Sequence, residues 1–172
     1  MKKKIKLLFC INTLAIKGGG AEKVLSIVLN HLSNENFDIK LITFDKKKAK
    51  FFYNFSKKID TYNLGELIIF KNKYLVQINR ILILTWYLLK IKPKISFGFM
   101  HSIYVNLAIA SIISKSKVVG CEHILPEHFV DKKIEFFLIK VVFFLLNKIT
   151  VVSDQVKKKF GPFLRKKMVV IN

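Results

Sequence analysis

The sequence predicts an α/β fold, a doubly wound parallel sheet with helices on both faces. Three observations predict it. Short apolar runs recur along the 172 residues, at 6–11, 37–44, 95–99, 117–121, 149–152 and 168–171. Most lack the in–out alternation of a half-solvated strand, as strands buried on both faces do. Stretches with helical i, i+3, i+4 spacing separate them, and that alternation of patterns marks βαβ units.

Residues 6–11 read as a buried first strand, and Gly18, Gly19 and Gly20 follow it. A helix comes next, with Ala21, Val24, Leu25, Val28, Leu29 and Leu32 on one face. Residues 37–44 (FDIKLITF) form the second strand, charged only at Asp38 and Lys40, and a lysine-rich loop occupies 46–50. Residues 59–64 make a weak third strand. A long helix spans 75–89, apolar at Leu75, Ile78, Leu82, Trp86 and Leu89, and Pro93 stops it. The fourth strand is 95–99, and 101–113 is a nearly all-apolar and therefore buried helix. The fifth strand, 117–121, ends in Glu122-His123. Pro126 marks a loop, and Asp131 caps a helix that runs to about Asn147 with Phe136, Phe137, Phe143 and Phe144 on it. Residues 149–152 are the sixth strand, Ser153 caps a helix over 154–160, and 168–171 is the last strand. The whole is one Rossmann-like domain, 1–172, without internal repeat or linker. It stops on a strand, so the expectation is the first half of a larger architecture.

Hydrophobic residues make up 52% of the chain, which excludes disorder. The net charge is +20, and only Arg80 and Arg165 are arginines. Two readings of the charge compete: an anionic partner, either nucleic acid or an acidic membrane face, and a coding bias toward Lys, Ile, Phe and Asn. Lysine without arginine argues against bidentate readout of bases or phosphates. Cys10 and Cys121 lie inside apolar runs and read as buried free thiols. Lys2, Lys3 and Lys4 before residues 5–11 imitate a secretory leader, but the apolar run is too short and lacks a small-residue cleavage pattern. A cytoplasmic first strand is the expectation. No uninterrupted apolar run reaches the roughly 18–20 residues of a spanning helix. The nearest, 136–146, is broken by Lys140 and reads as a core helix. His, Asp and Glu do not cluster at ligand spacing, so no metal is expected.

The chemistry centres on Gly18-Gly19-Gly20-Ala21-Glu22. A strand running through glycines into a helix presents bare backbone N–H groups at a helix N-terminus, a site for phosphate or another anion. The turn is neither G-x-G-x-x-G nor a Walker loop. No acidic residue ends the second strand as a ribose ligand would, though Asp45 comes nearest. The competing reading is a plain turn in which Gly20 eases helix–strand approach and Glu22 favours the positive helix end.

The run of apolar strand, Gly19-Gly20-Ala21-Glu22 and Val24-Leu25 resembles the opening of family-four retaining glycosyltransferases of the GT-B fold. Val119-Gly120-Cys121-Glu122-His123 is similar to their strand ending in a histidine at the active cleft. Thr150-Val151-Val152-Ser153-Asp154 resembles the strand and helix that close their first domain, and Met168-Val169-Val170-Ile171-Asn172 the strand leading to the linker. The resemblance implies two Rossmann-like domains facing across a cleft, the first holding the acceptor and the second most of a nucleotide-sugar. It assigns Gly19 and Gly20 to the donor diphosphate and His123 to the donor sugar or reaction centre. His101, after the fourth strand, stands at the edge where open α/β sheets bind ligands, and reads either as an acceptor-side residue or as a plain helix-start histidine; Glu122 and Glu22 take supporting places. His128 and His31 read as surface residues. No cofactor is implied, since the nucleotide-sugar is a substrate. The implied acceptor is a glycan or lipid-linked glycan, in bacterial surface-polysaccharide or glycan biosynthesis. The donor-binding C-terminal domain, with its diphosphate-neutralising lysine and arginine, has no counterpart here. Glu127 and Glu135 match the spacing of that domain's glutamate pair by coincidence, because they lie in the wrong domain. The chain is therefore expected to be inactive alone. Peripheral docking on the inner face of the cell membrane is a further expectation, through the lysines of 46–50 with Lys57, Lys58, Lys71 and Lys73 beside Phe51, Phe52 and Tyr53. Two alternatives stay open: a non-catalytic binding module needing a partner chain, and a basic nucleic-acid-binding α/β protein. The second lacks a helix-turn-helix or zinc pattern, so nucleic acid is not expected.

Overall fold

A computed structural model describes residues 4–15, 19–122, 137 and 141–171. Seven parallel strands form one sheet in the order β3-β2-β1-β4-β5-β6-β7. The strands are β1 (Ile5–Ile11), β2 (Phe37–Thr43), β3 (Asp60–Asn63), β4 (Ile95–Phe99), β5 (Lys117–Glu122), β6 (Lys148–Val151) and β7 (Met168–Val170). The helices are α1 (Gly20–Leu32), α2 (Lys73–Ile91), α3 (His101–Ser114), α4 (Asp154–Lys158) and α5 (Pro162–Arg165). Residues 141–145 are also helical, and Gly65–Leu67 is a single 3-10 turn. The expected doubly wound α/β fold is what the chain adopts.

β1 shows why continuous apolar runs were the right signal. Leu8 and Cys10 face a core under α2 and α3, with Leu84, Leu88, Ile103, Leu107 and Phe143. Leu7, Phe9 and Ile11 face a second core under α1, with Leu25, Leu29 and Leu41. Both pleat directions are dry, so neither tolerates a polar residue. Phe9 pairs in register with Phe97, and the rings stack at 4.6 Å. Cys10 and Cys121 are free and buried. Burial drives the Cys10 thiol far above its ordinary pKa and pushes Cys121 up to about 12, which leaves both inert at neutral pH.

Two glycines set the closeness of α3. Gly98 and Gly120 are register partners on β4 and β5. A Cβ on Gly98 would stand 2.7 Å from the Tyr104 Cα, and one on Gly120 would stand 3.2 Å from the Tyr104 ring. α3 therefore lies directly on the sheet.

Four expectations are corrected. The stripe Leu75, Ile78, Leu82, Trp86 and Leu89 of α2 faces outward, while Ile83, Leu84, Leu88 and Ile91 form its buried face. Both faces are apolar, so periodicity had no means of choosing between them. The helix over 154–160 ends at Lys158, and α5 starts at Pro162, where a proline suits the first helical turn. The helix ending near Asn147 is only half core: Val142, Phe143 and Leu146 are buried, Phe137 and Phe144 exposed. Phe51 is not a free surface aromatic, since it packs against the core under α1 and meets Phe55 edge-on. The expected Asp131 cap, Phe136, Pro126, Glu127, His128 and Glu135 lie outside the described residues.

Candidate functional site

In an all-parallel sheet every strand delivers its following loop to one edge. Ligands of open α/β sheets bind there, where the chain winds to opposite sides. In this order that point falls between β1 and β4. The loop after β1 leads to Gly19, and the turn after β4 leads to His101.

Gly19 caps α1 with extended backbone, φ −84° and ψ 176°, and no side chain caps the helix. The first intrahelical bond runs from Lys23 N to Gly19 O, at 3.1 Å. The N–H groups of Gly20, Ala21 and Glu22 thus have no intrahelical acceptor, and they carry the positive end of the helix dipole. Among the described residues a Cβ on Gly20 would meet nothing within 4 Å, so no strand residue described there needs Gly20 for its approach. A Cβ on Gly19 would stand 2.6 Å from Glu22 Oε2, which places the Glu22 carboxylate back over the helix head. An acidic group there is favoured by the dipole.

The loop leading to the glycines is pinned by contacts that the sequence pattern did not reveal. Asp45 is buried; it accepts from Thr13 Oγ1 at 2.5 Å and from the Leu14 N–H at 2.8 Å. Both carboxylate oxygens are engaged in holding the loop, so Asp45 is a latch and not a ribose ligand. The Phe44 N–H donates to Asn12 O at 2.9 Å, tying β2 to the same loop. Arg80 reaches from α2 to donate to Asn12 Oδ1 at 2.7 Å, and its guanidinium lies 4.8 Å from the Phe44 ring centre. Burial lowers its pKa, its Nε is buried without a hydrogen-bond acceptor, and the partner it has is an amide. Among the described residues no salt bridge pairs Arg80 with a carboxylate.

The β4–α3 turn has no loop residues to spare. Met100 joins strand to helix with φ 67° and ψ 152°, a conformation that costs a side-chain-bearing residue of order 1–3 kcal/mol. Its N–H donates to Cys121 O, and its carbonyl accepts from Ile103 and Tyr104. That turn puts His101 on the first turn of α3, half-buried, at the same edge. Below it Tyr104 donates its hydroxyl to Glu122 Oε2 at 2.5 Å, with both residues buried. Burial, then the Glu122 charge and the hydrogen bond, push the Tyr104 pKa well above its usual 10.

The structure thus brings Gly19, Gly20 and Glu22 together at the head of α1, and places His101 and Glu122 along the same edge. Glu122 is enclosed rather than open to the edge. Gly18 and His123 lie outside the described residues. The roles of Asp45, Arg80 and Tyr104 were missed because their partners are 31 or more, 68 and 18 residues away in sequence. A cavity of about 280 Å³ lies at the opposite edge, lined by Lys4, Lys6, Phe37, Asp38, Ile39 and Lys58. That is the start of β1 and β2, away from the glycine turn. Among the described residues no three His, Cys, Asp or Glu side chains are grouped to hold a metal.

No protein-family model matches the sequence, and no curated protein matches it. Solved structures do match the fold. A UDP-GlcNAc 2-epimerase from Methanocaldococcus jannaschii aligns with TM-score 0.72 and 16% identity, over 97% of this chain and 45% of its own. The lipopolysaccharide outer core galactosyltransferase WaaB aligns with TM-score 0.71 and 15% identity, over 96% of this chain and 45% of its own. A sucrose-phosphate synthase from Thermosynechococcus elongatus aligns with TM-score 0.70 and 10% identity, over 98% and 48%. The chain spans about half the length of these proteins. Its fold is that of one half of GT-B-like structures.

Proposed function

We propose that the chain is the N-terminal, acceptor-side half of a retaining GT-B glycosyltransferase. The reaction is transfer of a hexosyl group from a nucleotide-sugar to a glycan or lipid-linked glycan. The observation that carries this reading is the uncapped head of α1, with open space beyond Gly20, at the point where the sheet winds both ways. Breaking the bond between the anomeric carbon and the diphosphate leaves negative charge on the departing phosphate. Backbone donors at Gly19 and Gly20 stabilise that charge once the flexible Glu22 carboxylate swings aside. The Asp45 latch and the Arg80–Asn12 bond hold the loop that presents them. His123 contacts the donor sugar, Glu122 supports it, and His101 lines the acceptor side.

The chain supplies one wall of the cleft, in line with coverage of about half of each matched structure. It does not turn over alone. Two measurements test this. Titration of the isotope-labelled chain with uridine diphosphate is expected to move the Gly19 and Gly20 amide resonances, and Gly20→Ala to suppress the shift. Sugar transfer by the chain alone would falsify the half-cleft reading, and amides indifferent to any nucleoside diphosphate would remove the phosphate role.

A second reading is half of a nucleotide-sugar 2-epimerase, favoured by the match to the archaeal epimerase at TM-score 0.72. The products separate the two once a second half is supplied. A glycoside with retained configuration supports transfer, and a nucleotide-sugar inverted at C2 supports epimerisation.

A further inference from the structure

α2 has two apolar faces, and the fold buries one. The other, Leu75, Ile78, Leu82, Trp86 and Leu89, is between 42% and 64% exposed. Their spacing of three and four residues makes one continuous stripe, about 21 Å long at 1.5 Å per residue. Ile69, Phe70 and Tyr74 extend the exposed apolar surface at the N-terminal end. A row this long exceeds the scattered exposed apolar residues of an ordinary soluble surface.

The surroundings say what covers it. Between Glu66 and Glu122 the sequence has no Asp or Glu. Lys71, Lys73, Lys90, Lys92 and Lys94 are exposed around the ends of the helix. Lys73 lies 4.9 Å from the Tyr74 ring centre and Lys90 4.6 Å from that of Trp86. Aliphatic residues along the middle, aromatic ones within the stripe and lysines at the ends are the composition of a helix lying in a lipid interface. α2 is long and apolar enough to cross a membrane. It does not stand free to do so: Ile83, Leu84, Leu88 and Ile91 bury against the sheet, and its ends continue into β3 and β4.

We propose that the outer face of α2 seats this chain on an anionic lipid surface, the stripe among the acyl-chain ends and the lysines at the headgroups. A second copy fits poorly. It would oppose one acid-free, lysine-flanked face with another, on chains of +20 each, with no carboxylate to pair. A nucleic acid fits no better, since four of the five stripe residues are Leu or Ile, with no ring for base stacking, and Trp86 is a single ring among them. The proposal is independent of the donor-phosphate reading, because it concerns a helix face and not the sheet edge.

Trp86 is the only tryptophan of the chain, so its fluorescence reports on the stripe directly. Vesicles of phosphatidylcholine with phosphatidylglycerol are expected to shift its emission to the blue and protect it from an aqueous quencher. Pure phosphatidylcholine, or high salt, should weaken binding about tenfold or more. The double variant Ile78→Glu with Leu82→Glu should likewise bind at least about tenfold more weakly, with an unchanged far-ultraviolet dichroism spectrum. Both sites are already exposed, so folding is not at stake. The proposal is overturned if anionic vesicles leave Trp86 emission unchanged or if the double variant binds like the parent. A blue shift that grows with protein concentration without lipid also overturns it and identifies a second copy as the occupant.

Discussion

Gly98 and Gly120 stand side by side in the middle of the sheet; Gly19 and Gly20 stand at the head of α1. A side chain on the first pair would run into Tyr104, at its Cα and its ring. On the second pair it would meet the movable end of Glu22 and open space. The inner pair is demanded by the protein's own packing. Packing among the described residues asks nothing of Gly20, and glycine is a poorer helix former than alanine. Among the described residues nothing occupies the space beside Gly20, which is where the proposed phosphate would approach. The same residue type is therefore enclosed by packing in one place and open in the other, and only surroundings tell them apart.

The largest expected break of this contrast is Gly98→Ala. The new methyl would press on helix backbone, which cannot swing aside, and the loss is expected at about 3 kcal/mol in denaturant unfolding. Gly120→Ala should cost less, since its nearest neighbour is the movable Leu146 Cδ1. Asp45→Ala removes the acceptor for Thr13 and Leu14 and is expected to cost about 2 kcal/mol, while weakening any phosphate binding at the glycine turn that it steadies.

Tyr104→Phe leaves Glu122 without its phenol donor, at an expected cost of about 1.5 kcal/mol. It should also change the pH profile. The Tyr104 pKa is raised in the folded state, so its contribution is complete below the unfolded value of about 10 and is lost as pH rises beyond it. Unfolding measured from pH 8 to 11 should show an alkaline loss that is smaller in the phenylalanine variant. The smallest stability effect, and the sharpest test, is Gly20→Ala. It is expected to gain up to about 1 kcal/mol in stability while losing response to uridine diphosphate. A variant that is less stable would show that Gly20 serves the fold after all.

The strands were legible where two dry faces forced a continuous apolar run. β1, β2, β4 and β5 fall within a residue or two of their expected bounds. β3 was weak because its four residues, DTYN, sit at the sheet edge, while buried Ile59 and Leu64 flank it. α1 was read nearly on the correct face: Ala21, Leu25 and Leu29 are buried and Val28 and Leu32 half-buried, but Val24 is exposed. α2 was read on the wrong one because Leu75, Ile78, Leu82, Trp86 and Leu89 are as apolar as the face that packs. For the site, the glycine turn was visible as a local pattern. Asp45, Arg80 and Tyr104 were not, because each acts on a residue brought near only by the sheet.

The sequence by itself determined the kind and order of nearly every element, and the presence of bare N–H groups at one helix head. Those properties are local, set by periodicity and by glycine within a few residues. The tertiary structure decided the strand order, the buried face of α2, the latch on the β1 loop and the space around each glycine. Burial and close approach are relations between elements distant in sequence, so no window along the chain contains them.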